Sequence, residues 1–425
     1  MSLSPVTAIV IGCGNRGQVY STYAEDHPSE LKIVAVCDPK QFRRVELAKR
    51  MQAAQQFSDW HQVAALPKFA DAVIITTPDQ LHVEPAVAFA ELGYHLLLEK
   101  PMATTLADCR RITAAVQRAD VMLTVGHVMR FSGYTRKIKQ LVADGAIGRL
   151  INVQHLEPVG AQHFAHSYVR GNWRNEAESC FSLMAKSCHD IDWLRFVVGG
   201  SVTSVSSFGS LQHFRADQQP PEAQGATRCL ECPIQDSCIY SATRIYLDDA
   251  KRGVETHWNR IAVDTGAPTA ANVEAALATG PYGRCAYRCD NDVADNQVVN
   301  LQFANGVTAS FTMIAFSADV CVRRTRLFGT HGQLECLDGK CIVLQNFTDK
   351  VEQEIAFDKA PSGQRLQGHG GADFFLAQSF VRAILHNDRS LLLSGGADTL
   401  ESHTVVFAAE QARRQSSVVN LATFS

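Results

Sequence analysis

The sequence predicts an α/β protein: an N-terminal Rossmann domain on a doubly wound parallel sheet, then a C-terminal α+β domain with a large, mostly antiparallel open-faced sheet. Three observations carry this. Apolar runs alternate with helical patterns through the first third, as in a parallel sheet wound with helices. A glycine cluster, Gly12-Cys-Gly14-Asn-Arg-Gly17, lies between the first strand-like run and the first helical stretch. Beyond residue 150 the runs alternate apolar with polar residues, and Asn-Gly and Asp-Gly pairs suited to tight hairpins join several of them.

In chain order, Val6–Gly12, Lys32–Asp38, Ala72–Pro78, His95–Pro101 and Met122–Val128 read as strands. Gln41–Gln55, Val83–Leu92 and Leu106–Arg118 read as helices between them, the last opened by Thr105 and Asp108 as a variant capping box. After Leu141–Gly148 the pattern changes. Leu150–Glu157 and Thr203–Phe214 read as strands around a long helix, Phe181–Val198. Val298–Phe303 and Val307–Phe316 flank Asn305-Gly306, and Glu335–Leu337 and Cys341–Leu344 flank Asp338-Gly339. Phe374–Leu385 and Thr399–Arg413 read as closing helices, the second returning to the first domain. The division expected is a dinucleotide-binding domain at 1–128 and a substrate and oligomerisation domain at 129–425, with an insertion at 215–296 that carries a cysteine cluster.

Composition narrows the function. The 425 residues exceed what one core usually holds, so two domains are expected. A formal net charge of -3 leaves no basic field for nucleic acid or an anionic membrane, and neither is expected as a partner. No apolar run reaches the length of a membrane span, and the Met1-Ser-Leu-Ser-Pro start has no signal-like apolar stretch; a cytoplasmic location is the expectation. The odd count of 13 cysteines, several inside Rossmann elements, fits reduced thiols.

Glycines are needed at Gly12, Gly14 and Gly17 because the chain must turn sharply and approach a pyrophosphate without a Cβ in the way. The helix that follows, from Asn15 and Arg16, presents backbone N–H groups to phosphate. Asp38 stands 21 residues beyond Gly17, at the end of the second strand, where a carboxylate can accept both ribose hydroxyls. It favours NAD, whereas Lys40, Arg43 and Arg44 nearby keep NADP open. Glu99-Lys100-Pro101 ends another strand, so Lys100 faces the cofactor crevice and can donate to a substrate oxygen. A solvated lysine at a strand end is the alternative.

These residues, with Thr77-Pro78 followed by His82, resemble the Gfo/Idh/MocA oxidoreductases. The resemblance extends through Gly126-His-Val-Met-Arg130-Phe, Gly145-Ala-Ile-Gly148, Trp173-Arg174, Ser187-Cys-His189-Asp-Ile-Asp192, Phe328-Gly-Thr-His-Gly332 and Ser402-His403. It implies an NAD(P)-dependent enzyme that oxidises or reduces a carbinol of a sugar, polyol or related small molecule, usually as a homo-oligomer, dimer or tetramer. By the same resemblance Lys100 places and polarises the reacting oxygen, His189 acts as acid or base, and Trp173-Arg174 lies near the nicotinamide. Many members carry an aspartate four residues before the histidine; here that position is Ala185. Lys186, Asp190 or Asp192 then has to substitute, or the proton chemistry differs. Position alone would make His189 a buried histidine satisfied by a carboxylate.

Cys229, Cys232 and Cys238, with Cys289 or Cys285 as fourth ligand, have spacings that suit a tetrahedral zinc clamping an irregular loop; free thiols or a local disulfide are the alternative. Two further functions stay open beside the dehydrogenase. One is NAD-assisted glycoside cleavage by transient oxidation and elimination. The other is a catalytically silent dinucleotide-sensing regulator, against which an intact Lys100 and His189 weigh.

Overall fold

In the computed structural model six strands form the first sheet: β1 (Val6–Ile11), β2 (Leu31–Cys37), β3 (Gln55–Phe57), β4 (Ala72–Ile75), β5 (His95–Leu98) and β6 (Leu123–Val125). The structure describes residues 4–263, 266–366 and 368–424; Met1–Leu3 of the N-terminal reading and both extreme ends of the expected domains lie outside them. All pairings in this sheet are parallel, in the order β3-β2-β1-β4-β5-β6. The order reverses at β1 and β4, and the crevice at their carboxyl ends is where such sheets bind ligands. Its strands are apolar on both faces because helices cover both. Val83–Glu91 and Leu106–Ala119 pack on one side. Asn15–Asp26 packs on the other, together with Ala372–His386 from the far end of the chain.

Nine strands form the second sheet: β7 (Leu150–Pro158), β8 (Val202–Ser210), β9 (Asn296–Phe303), β10 (Thr308–Ile314), β11 (Arg324–Gly329), β12 (Gly332–Cys336), β13 (Ile342–Asn346), β14 (Glu352–Ile355) and β15 (Val418–Asn420). Their order is β14-β13-β12-β11-β7-β10-β9-β8-β15, antiparallel except for the parallel pair of β7 with β10. Helices Ser182–Val198 and Gly396–Gln415 cover one face. On the other, Val298, Asn300 and Gln302 are exposed and alternate with buried Val299, Leu301 and Phe303, the period-2 pattern of a half-covered sheet. The Asn305-Gly306 hairpin forms as expected, with Gly306 at φ +85°. β8 ends at Ser210, short of Phe214, because the Gln212 and His213 N–H groups donate to the Asp295 carboxylate instead of to a neighbouring strand.

The insertion is more regular than its sequence suggests. It contains helices His257–Val263 and Ala270–Thr279 and has an apolar cluster of its own, with Ile245, Tyr246, Leu247, Val273, Leu277 and Tyr282. The expected zinc on Cys229, Cys232, Cys238 and Cys289 or Cys285 is not supported. Among the described residues no group of three or more His, Cys, Asp or Glu side chains is placed to hold a metal ion, and the cysteines are free thiols. Apolar packing gives this segment the cohesion that a metal clamp was expected to provide, and Cys229 Sγ accepts instead from Arg170 Nη2 at 3.5 Å. No helix among the described residues is long and apolar enough to cross a membrane.

Candidate active site

The site begins at the turn after β1. Gly12 has φ +95°, and a Cβ there would come within 2.6 Å of the Thr76 carbonyl oxygen; a Cβ on Gly17 would overlap the Gly12 carbonyl oxygen. Both positions exclude side chains, so the backbone can close on a ligand. The helix from Asn15 starts at Gly14 with no side-chain cap, which leaves its first N–H groups for an anion. Asp38 is buried at the end of β2, its Oδ2 accepting from Cys13 N–H and its Oδ1 from Lys40 N–H, each at 2.8 Å. A carboxylate fixed in this way keeps lone pairs for ribose hydroxyls. These residues fit a dinucleotide.

Several expected cofactor contacts are engaged elsewhere. The Arg16 guanidinium pairs with Glu99 at 2.9 Å and Asp373 at 2.8 Å, and Glu99 also accepts from Tyr20 Oη at 2.9 Å. Both side chains thus tie the glycine turn to β5 and to the Ala372–His386 helix. His82 sits with its ring nitrogens 2.8 Å and 2.9 Å from the Pro101 and Thr77 carbonyls, pinning two loops, and Thr77 Oγ1 donates to Leu81 O beyond Pro78. Trp173 Nε1 donates to Asp79 at 2.8 Å, across to the first sheet, while Arg174 pairs with Asp290 and Glu178.

The cleft between the two sheets holds the chemistry. Lys100, just past β5, donates from Nζ to Ala185 O at 2.8 Å, one turn before His189 on the Ser182–Val198 helix. His189 is buried, and its Nδ1 has no hydrogen-bond partner among the described residues. Burial, then the Lys100 ammonium and the neighbouring His127, Arg323 and His369, hold its pKa well below the usual imidazole range. Four histidines stand in file here. Ring centroids are 5.4 Å apart for His403 and His127, 5.9 Å for His127 and His189, and 6.3 Å for His189 and His369. Burial also lowers His127 to about 4 and His403 to about 3, so both are neutral at pH 7.

The expected carboxylate partner for His189 is not provided by its own helix. Asp192 is bonded by Arg130 at 2.7 and 2.6 Å and by Ser402 Oγ at 2.6 Å, and stands 3.8 Å from His127, one histidine removed from His189. Asp190, on a different helical face, accepts from Arg323 at 2.6 Å and lies 3.1 Å from His155. Lys186 turns to Glu157 at 2.9 Å. The Arg130 and Arg323 guanidiniums keep Asp192 and Asp190 well below the usual carboxylate range against the effect of burial. Sequence reasoning did not single out His369 and Asp373. Their only signal was the glycine run Gly368-His-Gly-Gly371 before a helix.

A dinucleotide cradle opening onto a lysine and a neutral histidine defines the class of NAD-dependent oxidoreductases. Residues 6–127 match the Gfo/Idh/MocA oxidoreductase family, NAD-binding Rossmann fold, and residues 139–421 match its C-terminal alpha/beta domain. The chain belongs to that family. It is 24% identical over 339 residues to the oxidoreductase YteT of Bacillus subtilis (strain 168), covering 77% of this chain and 76% of that one. It is 26% identical over 200 residues to a 2,7-anhydro-N-acetylneuraminate hydratase of Escherichia coli (strain K12), covering 47% of this chain and 51%, about half, of that relative. A levoglucosan dehydrogenase solved with NADH shares the fold, with TM-score 0.72 and 18% identity over 98% of this chain and 99% of the other.

Proposed function

We propose that the protein transfers a hydride between NAD and a carbinol or ketone carbon of a sugar, a polyol or a related small molecule. The observation that carries this reading is the meeting of Lys100, from the first sheet, with the His189 helix of the second. Bound NAD supplies the hydride acceptor. Hydride loss from a carbinol requires the hydroxyl proton to leave, and a neutral imidazole can take it. The Lys100 ammonium stabilises the charge that builds on the oxygen. Asp38 supports NAD over NADP, since its carboxylate repels a 2′-phosphate. Likeness to a levoglucosan dehydrogenase supports a carbohydrate substrate. The test is a panel of sugars, anhydrosugars and polyols with NAD: NADH formation with matching ketone is the expected result, and none from any member refutes it.

A second reading, transient oxidation and elimination without net redox change, is favoured by two observations: Ala185 in place of the usual aspartate, and a relative named as a hydratase. Cleaved or hydrated product without accumulating NADH would select it. The same proposal includes a cytoplasmic location, since free thiols persist in a reducing compartment, and a homo-oligomer. Exposed Phe208 and Val298 pair side by side on the open face of the second sheet, which a second copy would cover. Light scattering at the mass of a single chain would contradict that.

A further inference from the structure

We propose that His369, held by Asp373, carries the substrate proton from His189 to solvent and so takes over the work of the aspartate missing at position 185. This rests on the hydride-transfer reading above. A base as buried as His189, beside the Lys100 ammonium, keeps a proton only briefly. No carboxylate of its own helix faces it, because Asp190 is spent on Arg323 and His155, and Asp192 on Arg130 and Ser402. Inward, the file leads to His127 and His403, enclosed and held neutral. Outward, it leads to His369.

His369 has the features of a proton exit. Its side chain is 39% exposed, whereas that of its partner Asp373 is 1% exposed; Nδ1 lies 3.0 Å from Asp373 Oδ2. Arg16, 2.8 Å from the same carboxylate, keeps Asp373 ionised and well below the usual range, so a charged imidazolium has a permanent counter-ion. The rings of His189 and His369 are 6.3 Å apart between centroids, a gap that one hydroxyl of water or substrate can bridge. His369 is also held at φ 51°, ψ 41°, a left-handed conformation that is strained for a non-glycine residue and recurs at functional positions. The other charged or titratable groups facing the pair are Arg16 and Tyr20 on the Asn15–Asp26 helix, Glu99 and Lys100 after β5, His127 after β6, and Arg323 before β11.

The step balances. The carbinol hydrogen leaves as hydride to the nicotinamide, the hydroxyl proton passes to His189, across the bridging hydroxyl to His369, and then to water. One ketone, one reduced dinucleotide and one proton result. The experiment follows NADH formation and proton release together in stopped flow, for the native enzyme and His369→Ala, with a carbohydrate that the native enzyme oxidises. His369→Ala should bind NAD as the native protein does, form NADH roughly tenfold or more slowly, and recover with added imidazole. Unchanged rates, or slowed rates without imidazole rescue, would overturn the relay. A native enzyme that forms no NADH from any carbohydrate overturns the underlying reading, and the relay falls with it; native turnover beside an unaffected His369→Ala overturns the relay alone.

Discussion

The carboxyl edge of the first sheet and the floor of the cleft differ in how their buried polar groups are partnered. At the edge, Asp38 accepts two backbone N–H groups, Glu99 holds Arg16 and Tyr20, and His82 spans two carbonyls. In the cleft, His127 presents both ring nitrogens, and His189 and His403 one each, with no partner among the described residues. An unpaired buried polar group costs about 1–3 kcal/mol. The edge is a frame braced before any ligand arrives. In the cleft, His127 and His403 are enclosed, and His189 keeps an unpartnered Nδ1 beside Lys100. Substitutions should therefore sort into those that weaken the frame and those that silence the cleft.

The largest expected effect on stability is at Arg130, whose carboxylate partner lies beside the cleft. Arg130→Met leaves Asp192 as an uncompensated buried charge and should cost about 3–5 kcal/mol, read as a lower urea midpoint. A loss under about 1 kcal/mol would mean that Asp192 is solvated or neutral. Next comes Gly17→Ala, whose Cβ would overlap the Gly12 carbonyl oxygen. It should weaken NAD binding by roughly tenfold or more, measured by calorimetry, because the turn must open. The pH dependence sharpens the contrast further. His127 and His403 titrate near 4 and 3 when folded and at about 6.5 when unfolded, so the unfolded chain binds more protons between those values. Stability present above pH 6.5 should be lost as pH falls toward 4, by at most roughly 1.4 kcal/mol per unit for each histidine. His127→Gln should flatten that slope. The smallest effect is a shift of preference: Asp38→Ser should weaken NAD and relatively favour NADP, and equal binding of both cofactors by the native protein would contradict the role of Asp38.

What was legible in the sequence follows the same division. The β1 turn, Asp38, Lys100 and His189 lie in short local patterns, and the paired apolar runs around Asn305-Gly306 register themselves. β11 and β15 escaped notice because their exposed Arg324, Arg326 and Val418 do not mark a buried face. The insertion looked irregular because its helices are short and its apolar residues lie far apart in the chain. Arg16 reads as part of the helix start that faces a phosphate, but the carboxylate partner of its side chain, Asp373, is 357 residues away. For the same reason, the file from His403 to His369 is invisible until the two sheets and the closing helix are assembled. Lys186, Asp190 and Asp192 read as possible partners of His189, yet Asp192 bonds to Arg130, 62 residues earlier, and lies 3.8 Å from His127.

The central claim is that Lys100 and His189 converge on one reacting oxygen while the frame alone binds the dinucleotide. The measurement that tests it most directly is single-turnover NADH formation together with NAD affinity for the native enzyme, Lys100→Met and His189→Ala. Both variants should bind NAD within a few-fold of native and form NADH roughly a hundredfold or more slowly. Near-native rates in either variant, or a loss confined to NAD binding, would contradict it.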